Sequence, residues 1–171
     1  MEQFGSLAAV QATFAQYNCK GNENSYVFAQ DDIMTRKVSD GGYYGGGLIG
    51  GMVASAVTQA VRDKKQEQEM IPGQMNLVLD VTETGIGALA VKKAGIFKKW
   101  NTASVVENTQ LFYILYSDME FVELKKSLGA YALTFRTKNG VTFRARIYSK
   151  LKEIEYQDAG LQAIIARFGL N

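Results

Sequence analysis

YALTFRTKNGVTFRARI, residues Tyr131–Ile147, is two strands and a turn, and side-chain parity alone fixes its register. Tyr131, Leu133 and Phe135 are the apolar positions of the first strand; Val141, Phe143, Ala145 and Ile147 are those of the second. Successive side chains of a strand point to opposite faces, so a slip of one residue turns every apolar group to the wrong side. A two-residue Asn139-Gly140 turn would set Phe135 against Arg144. A three-residue loop, Lys138-Asn139-Gly140, instead sets Phe135 against Phe143, Leu133 against Ala145 and Tyr131 against Ile147, with Gly140 at positive φ. The pattern selects the longer loop. The other face of the hairpin then carries Arg136, Arg144 and Arg146.

Working outward, residues 155–168 place Leu161, Ile164, Ile165 and Phe168 on one helical stripe, with Gln162 and Arg167 off it. Before the hairpin, Met119–Lys126 is a strand whose alternation breaks, as at a bulge. Leu111–Tyr116 is apolar on both faces, the pattern of a buried strand. Leu77–Thr82 alternates, Glu83-Thr84-Gly85 turns, and Ile86–Val91 follows. Further towards the N-terminus, Tyr26–Gln30 and Ile33–Val38 read as short strands around Asp31-Asp32. Phe4, Leu7, Ala8, Phe14 and Tyr17 recur at helical spacing and predict an amphipathic helix over residues 4–17.

Gly41–Val61 stands apart. It runs 21 residues without a charge and holds Gly41, Gly42, Gly45, Gly46, Gly47, Gly50 and Gly51. Charge returns at Arg62-Asp63-Lys64-Lys65, and Pro72-Gly73 closes the segment. The expectation is a helical insertion at about residues 41–70 in a single α+β domain. Gly46, Gly50 and Ala54 form one small-residue stripe, and Gly47, Gly51 and Ser55 another, a spacing that lets helices approach closely. As helix the whole uncharged run would reach roughly 31 Å, but its convincing apolar part, Leu48–Val61, only about 21 Å, too short for a bilayer. Packing on the domain, or in a homo-oligomer, is therefore expected. A phosphate loop is excluded, because no Gly-Lys-Ser/Thr follows and no βαβ strand feeds the run.

Composition narrows the chemistry. The 171 residues are 47% hydrophobic and 21% charged, as in one globular domain. A net charge of +2 gives no electrostatic case for nucleic acid. There is no histidine and one cysteine, which excludes zinc sites of His and Cys, Cys–His nucleophiles and Ser–His–Asp triads. No metal or other cofactor is expected. Cys19 reads as a small apolar residue, and Asp80, Glu107 and Asp118 as solvated carboxylates at strand ends, without the spacing of a catalytic pair. Met1-Glu2-Gln3-Phe4 lacks a basic n-region and an apolar run, so a cytoplasmic location is expected.

The order of these elements resembles the bacterial pleckstrin-homology-like (PH-like) domains. The resemblance covers roughly residues 76–168. It rests on a strand ending in Thr before a turn (Leu79-Asp80-Val81-Thr82-Glu83-Thr84-Gly85), on the aromatic-Ser-Asp-apolar run Tyr116 to Met119, and on the hairpin and closing helix. It implies a strongly bent antiparallel sheet, or partial barrel, plugged by the C-terminal helix. The first hairpin lacks the clustered Lys and Arg of phosphoinositide-binding members, since Asp31-Asp32 occupy its turn. A binding scaffold is implied, without phosphoinositide recognition.

Two basic groups are candidate anion or lipid sites: Lys92, Lys93, Lys98 and Lys99 with Trp100, and the arginine set of the hairpin. For the first, the simpler reading is that the lysines solvate strand ends while Trp100 packs inward. For the second, it is neutralisation by Glu120 and Glu123 on the adjacent strand. The functional expectation is a non-enzymatic binding module for a protein or lipid partner. A peripheral membrane protein using the glycine-rich helix or the Lys/Trp stretch comes second, and an enzyme working without histidine third.

Overall fold

The computed structural model describes residues 4–17, 19, 21–31, 76–92, 99–106, 111–138, 140 and 142–170. The expected strand Ile33–Val38, the insertion with Gly46, Gly47, Gly50, Gly51, Ala54 and Ser55, and Lys93 and Lys98 lie outside these residues. In chain order the elements are α1 (Leu7–Gln16), β1 (Ser25–Asp31), β2 (Asn76–Val81), β3 (Gly85–Lys92) and β4 (Ser104–Val105). There follow β5 (Phe112–Leu115), β6 (Met119–Ser127), β7 (Ala130–Thr137), β8 (Thr142–Tyr148) and α2 (Gln157–Phe168).

The register read from parity is the register formed. Phe135 faces Phe143, Leu133 faces Ala145 and Tyr131 faces Ile147 across β7–β8. The Gly140 N–H donates to the Thr137 carbonyl at 2.8 Å. Gly140 has φ 89°, a left-handed conformation cheap only for glycine. The Phe135 and Phe143 rings stack with centroids 4.8 Å apart. The broken alternation of β6 is a bulge between Met119 and Phe121.

The strands form one antiparallel sheet in the order β4-β3-β2-β1-β8-β7-β6, with β5 also paired to β3. β5 ends at Leu115 beside Gly85 of β3, while β6 begins at Met119 beside Thr137 of β7, at the opposite end of the order. A single 3₁₀ turn, Tyr116–Asp118, joins them. Such a short link spans only about 13 Å, so the sheet curls until its ends approach each other. No ladder joins β5 to β6 among the described residues, and the sheet stays partly open.

Curling gives the sheet two apolar compartments. Its inner face buries Leu79, Ile86, Leu124, Leu133, Phe135, Phe143 and Ile147, and α2 adds Leu161 and Ile164. α2 packs along β1 and reaches β6. Gly160 permits this approach, because a Cβ there would overlap the Tyr26 carbonyl oxygen. On the outer face, β1–β3 are covered by Phe4, Val10 and Phe14 from the N-terminal segment, with Ile154 and Tyr156.

Two expectations need correction. Leu7 and Ala8 face solvent, whereas Val10, Thr13 and Phe14 are buried. The helix starts only at Leu7, capped by the Ser6 hydroxyl on the Ala9 N–H, and Phe4 packs before the cap rather than on the stripe. β5 is not buried on both faces: it pairs only with β3 among the described strands, and Leu115 is 44% exposed.

Candidate functional site: the arginine face and a buried thiol–carboxyl pair

The two halves of the sheet are covered differently. β2 and β3 are buried along nearly their whole length. β7 and β8 alternate, with Thr134, Arg136, Thr142, Arg144 and Arg146 half-buried or exposed on the outer face. The ladder sets Arg136 against Thr142, Thr134 against Arg144 and Ala132 against Arg146, so the three arginines share one face. Neighbouring same-face positions on a strand lie about 6.7 Å apart. Arg136 Nε lies 3.2 Å from Glu120, both side chains being about half exposed. Glu123, the other expected partner, lies 3.0 Å from Lys125 on its own strand. Guanidinium groups held on a ladder can grip planar anions in a fixed fork geometry.

The Lys/Trp stretch does not join that face. Lys92 ends β3 opposite Ser104, and β2 and β1 separate it from β8 in the strand order. Lys99 is exposed. The Trp100 ring lies 4.8 Å from the Phe28 ring and packs on the outer compartment, as the simpler reading of that residue expects.

Sequence reasoning missed one cluster. Asp80, expected as a solvated strand end, lies in β2 with no exposed surface. The Cys19 thiol donates to its Oδ2 at 3.4 Å, while Oδ1 has no hydrogen-bond partner. Burial pushes the Asp80 carboxyl up to about 7, against the Cys19 hydrogen bond and the Ser25 amide, which hold it down. Burial, with the Asp80 charge, pushes the Cys19 thiol up to about 12. Tyr26, opposite Asp80 in the ladder, is raised by the same two causes. On the other side of Asp80 stands Gly87, where a Cβ would come within 3.3 Å of Cys19 Sγ and of the Tyr113 ring. A thiol held protonated is a poor nucleophile. The only sequence signal was a single Asp interrupting an apolar strand.

A hydroxyl network closes the same end of the sheet. Tyr113 Oη lies 2.7 Å from both Thr82 Oγ1 and Thr84 Oγ1. Thr82 Oγ1 accepts from the Thr84 and Gly85 N–H groups, shaping the β2–β3 turn. Tyr116 Oη donates to the Thr82 carbonyl at 2.8 Å, and burial pushes its phenol up to about 12.

Among the described residues no group of three or more His, Cys, Asp or Glu side chains could hold a metal ion. No described helix is long and apolar enough to cross a membrane. No family model, curated protein or solved structure matches the chain.

Proposed function

We propose that the chain is a non-enzymatic binding module on a PH-like scaffold, and that the outer face of β6–β8 is its binding face. Support for the scaffold comes from the sheet curled at Tyr116–Asp118 and from the terminal helix on its inner face. The binding reading is carried by one observation, the uneven cover of the outer face among the described residues. α1 and its neighbours lie over β1–β3, while Arg136 and Arg146 stay exposed on β7 and β8. A ladder that presents several guanidinium groups suits an anionic partner, here an acidic protein segment. The Cys19–Asp80 pair is then a structural feature of the outer compartment.

Calorimetric titration with a polyglutamate peptide tests this reading. The full chain should bind with an affinity that falls as salt is added, and Arg144→Glu/Arg146→Glu should weaken binding at least about tenfold. Equal binding by the wild type and the double variant would refute it.

A further inference from the structure

We infer that the tip of the β6–β7 hairpin docks on an anionic lipid surface, with Leu128 entering the leaflet and Lys125, Lys126, Lys150 and Lys152 over the headgroups. Ser127 pairs with Ala130, so Leu128 and Gly129 alone make the connection, with Gly129 at φ 68°. Leu128 is 97% exposed, whereas the other exposed large apolar side chains among the described residues lie between 39% and 48%. Tight turns favour Gly, Asn, Asp and Ser, and nothing in the hairpin geometry calls for leucine at its apex. The side chain spends its apolar surface on solvent.

The tip is also held in place. The Ser149 N–H and hydroxyl both donate to the Gly129 carbonyl, at 3.2 and 2.9 Å. This fixes the chain that follows β8 against the apex and sets exposed Lys150 beside it, with exposed Lys152 two residues further on, while exposed Lys125 and Lys126 lie in the last residues of the strand before it. Of the carboxylates in these two segments, Glu123 pairs with Lys125 and Glu153 is half-buried. Over described residues 123–130 and 149–153, four lysines stand against two glutamates, an excess of positive charge.

This arrangement fits lipid better than protein. A stable protein interface covers about 800 Å² per partner around an apolar centre, and one leucine at an apex is a small fraction of that. A fluid headgroup layer needs no fixed geometry from flexible lysines. Each lysine near an anionic surface strengthens binding about fivefold, and burying one leucine adds about tenfold or more.

The inference rests on the binding-module reading, and names its partner for a second surface. Co-sedimentation of the full chain with phosphatidylcholine vesicles, with and without phosphatidylserine, tests it. The chain should sediment only with the serine lipid. Leu128→Asp and Lys150→Glu/Lys152→Glu should each lower the partition coefficient about tenfold or more while leaving melting temperature and polyglutamate binding unchanged. Wild-type partition by Leu128→Asp, or no partition by the wild type, overturns the lipid inference and leaves the arginine face standing. Loss of polyglutamate binding in Leu128→Asp would assign the tip to a protein partner and also overturn it.

Discussion

The carboxamide of Gln157 satisfies both backbone groups of Phe28: its Oε1 accepts from the Phe28 N–H at 2.8 Å and its Nε2 donates to the Phe28 carbonyl at 3.1 Å. The same Nε2 donates to the Tyr148 carbonyl at 2.9 Å. β1 and β8 pair only from Ala29↔Ile147 to Asp31↔Ala145, so the ladder stops where the strands part at Phe28. Gln157, fully buried, stands in for the missing strand residue and ties the start of α2 to the seam between the two halves of the sheet. Gln157→Leu keeps an apolar body but leaves three backbone groups without this partner, the two of Phe28 buried and the Tyr148 carbonyl partly so. Its cost should be about 3–5 kcal/mol, read as a lower denaturant midpoint at unchanged slope. A loss under about 1 kcal/mol would show that the seam does not depend on this side chain.

Phe135 and Arg136 are neighbours on opposite faces of β7, and they should behave oppositely. Phe135 is fully buried and stacked on Phe143. Phe135→Ala should cost about 3–5 kcal/mol in equilibrium unfolding. Arg136 pairs with half-exposed Glu120, and Arg136→Ala should cost less than about 1 kcal/mol. Similar losses for both would contradict the assignment of inner and outer faces.

Stability should fall with rising pH because of Asp80. Its carboxyl titrates near 4 in the unfolded chain and is pushed up to about 7 by burial in the fold. The folded state therefore binds the proton more tightly. The protonated carboxyl contributes its full stability below pH 4, and that contribution is lost as pH rises through about 7, by roughly 3–4 kcal/mol at most. Asp80→Asn, which cannot ionise, should flatten the stability profile between pH 4 and pH 7. A wild-type profile already flat over that window would mean that Asp80 is solvated after all.

The hairpin was legible in the sequence because parity, loop length and Gly140 agree, and a wrong register would have turned Phe135 to solvent. α2 was legible for a similar reason, its stripe at Leu161, Ile164 and Ile165 facing one compartment. The motif segments around Thr82 and Tyr116, widely separated in sequence, meet where the Tyr116 hydroxyl donates to the Thr82 carbonyl and the Tyr116 N–H to the Thr84 carbonyl. α1 was misjudged because a second compartment on the outer face selects Val10 and Phe14, and nothing local announces that compartment. Asp80 and Gln157 could not be read for the same cause. Their meaning depends on partners far away in the chain, Cys19 and Phe28, that only the folded sheet supplies. The arginine set was named from parity, but that no described helix covers it is a property of the assembled layers.

The most direct test of the binding face is an amide-resolved NMR titration of the isotopically labelled full chain with the polyglutamate peptide. Shift changes should centre on Arg136, Arg144 and Arg146 and on Thr134 and Thr142 between them, with β2, β3 and α1 unmoved. Changes centred instead on Lys92, Lys99 or α2, or spread evenly over the chain, would contradict a binding face on β6–β8.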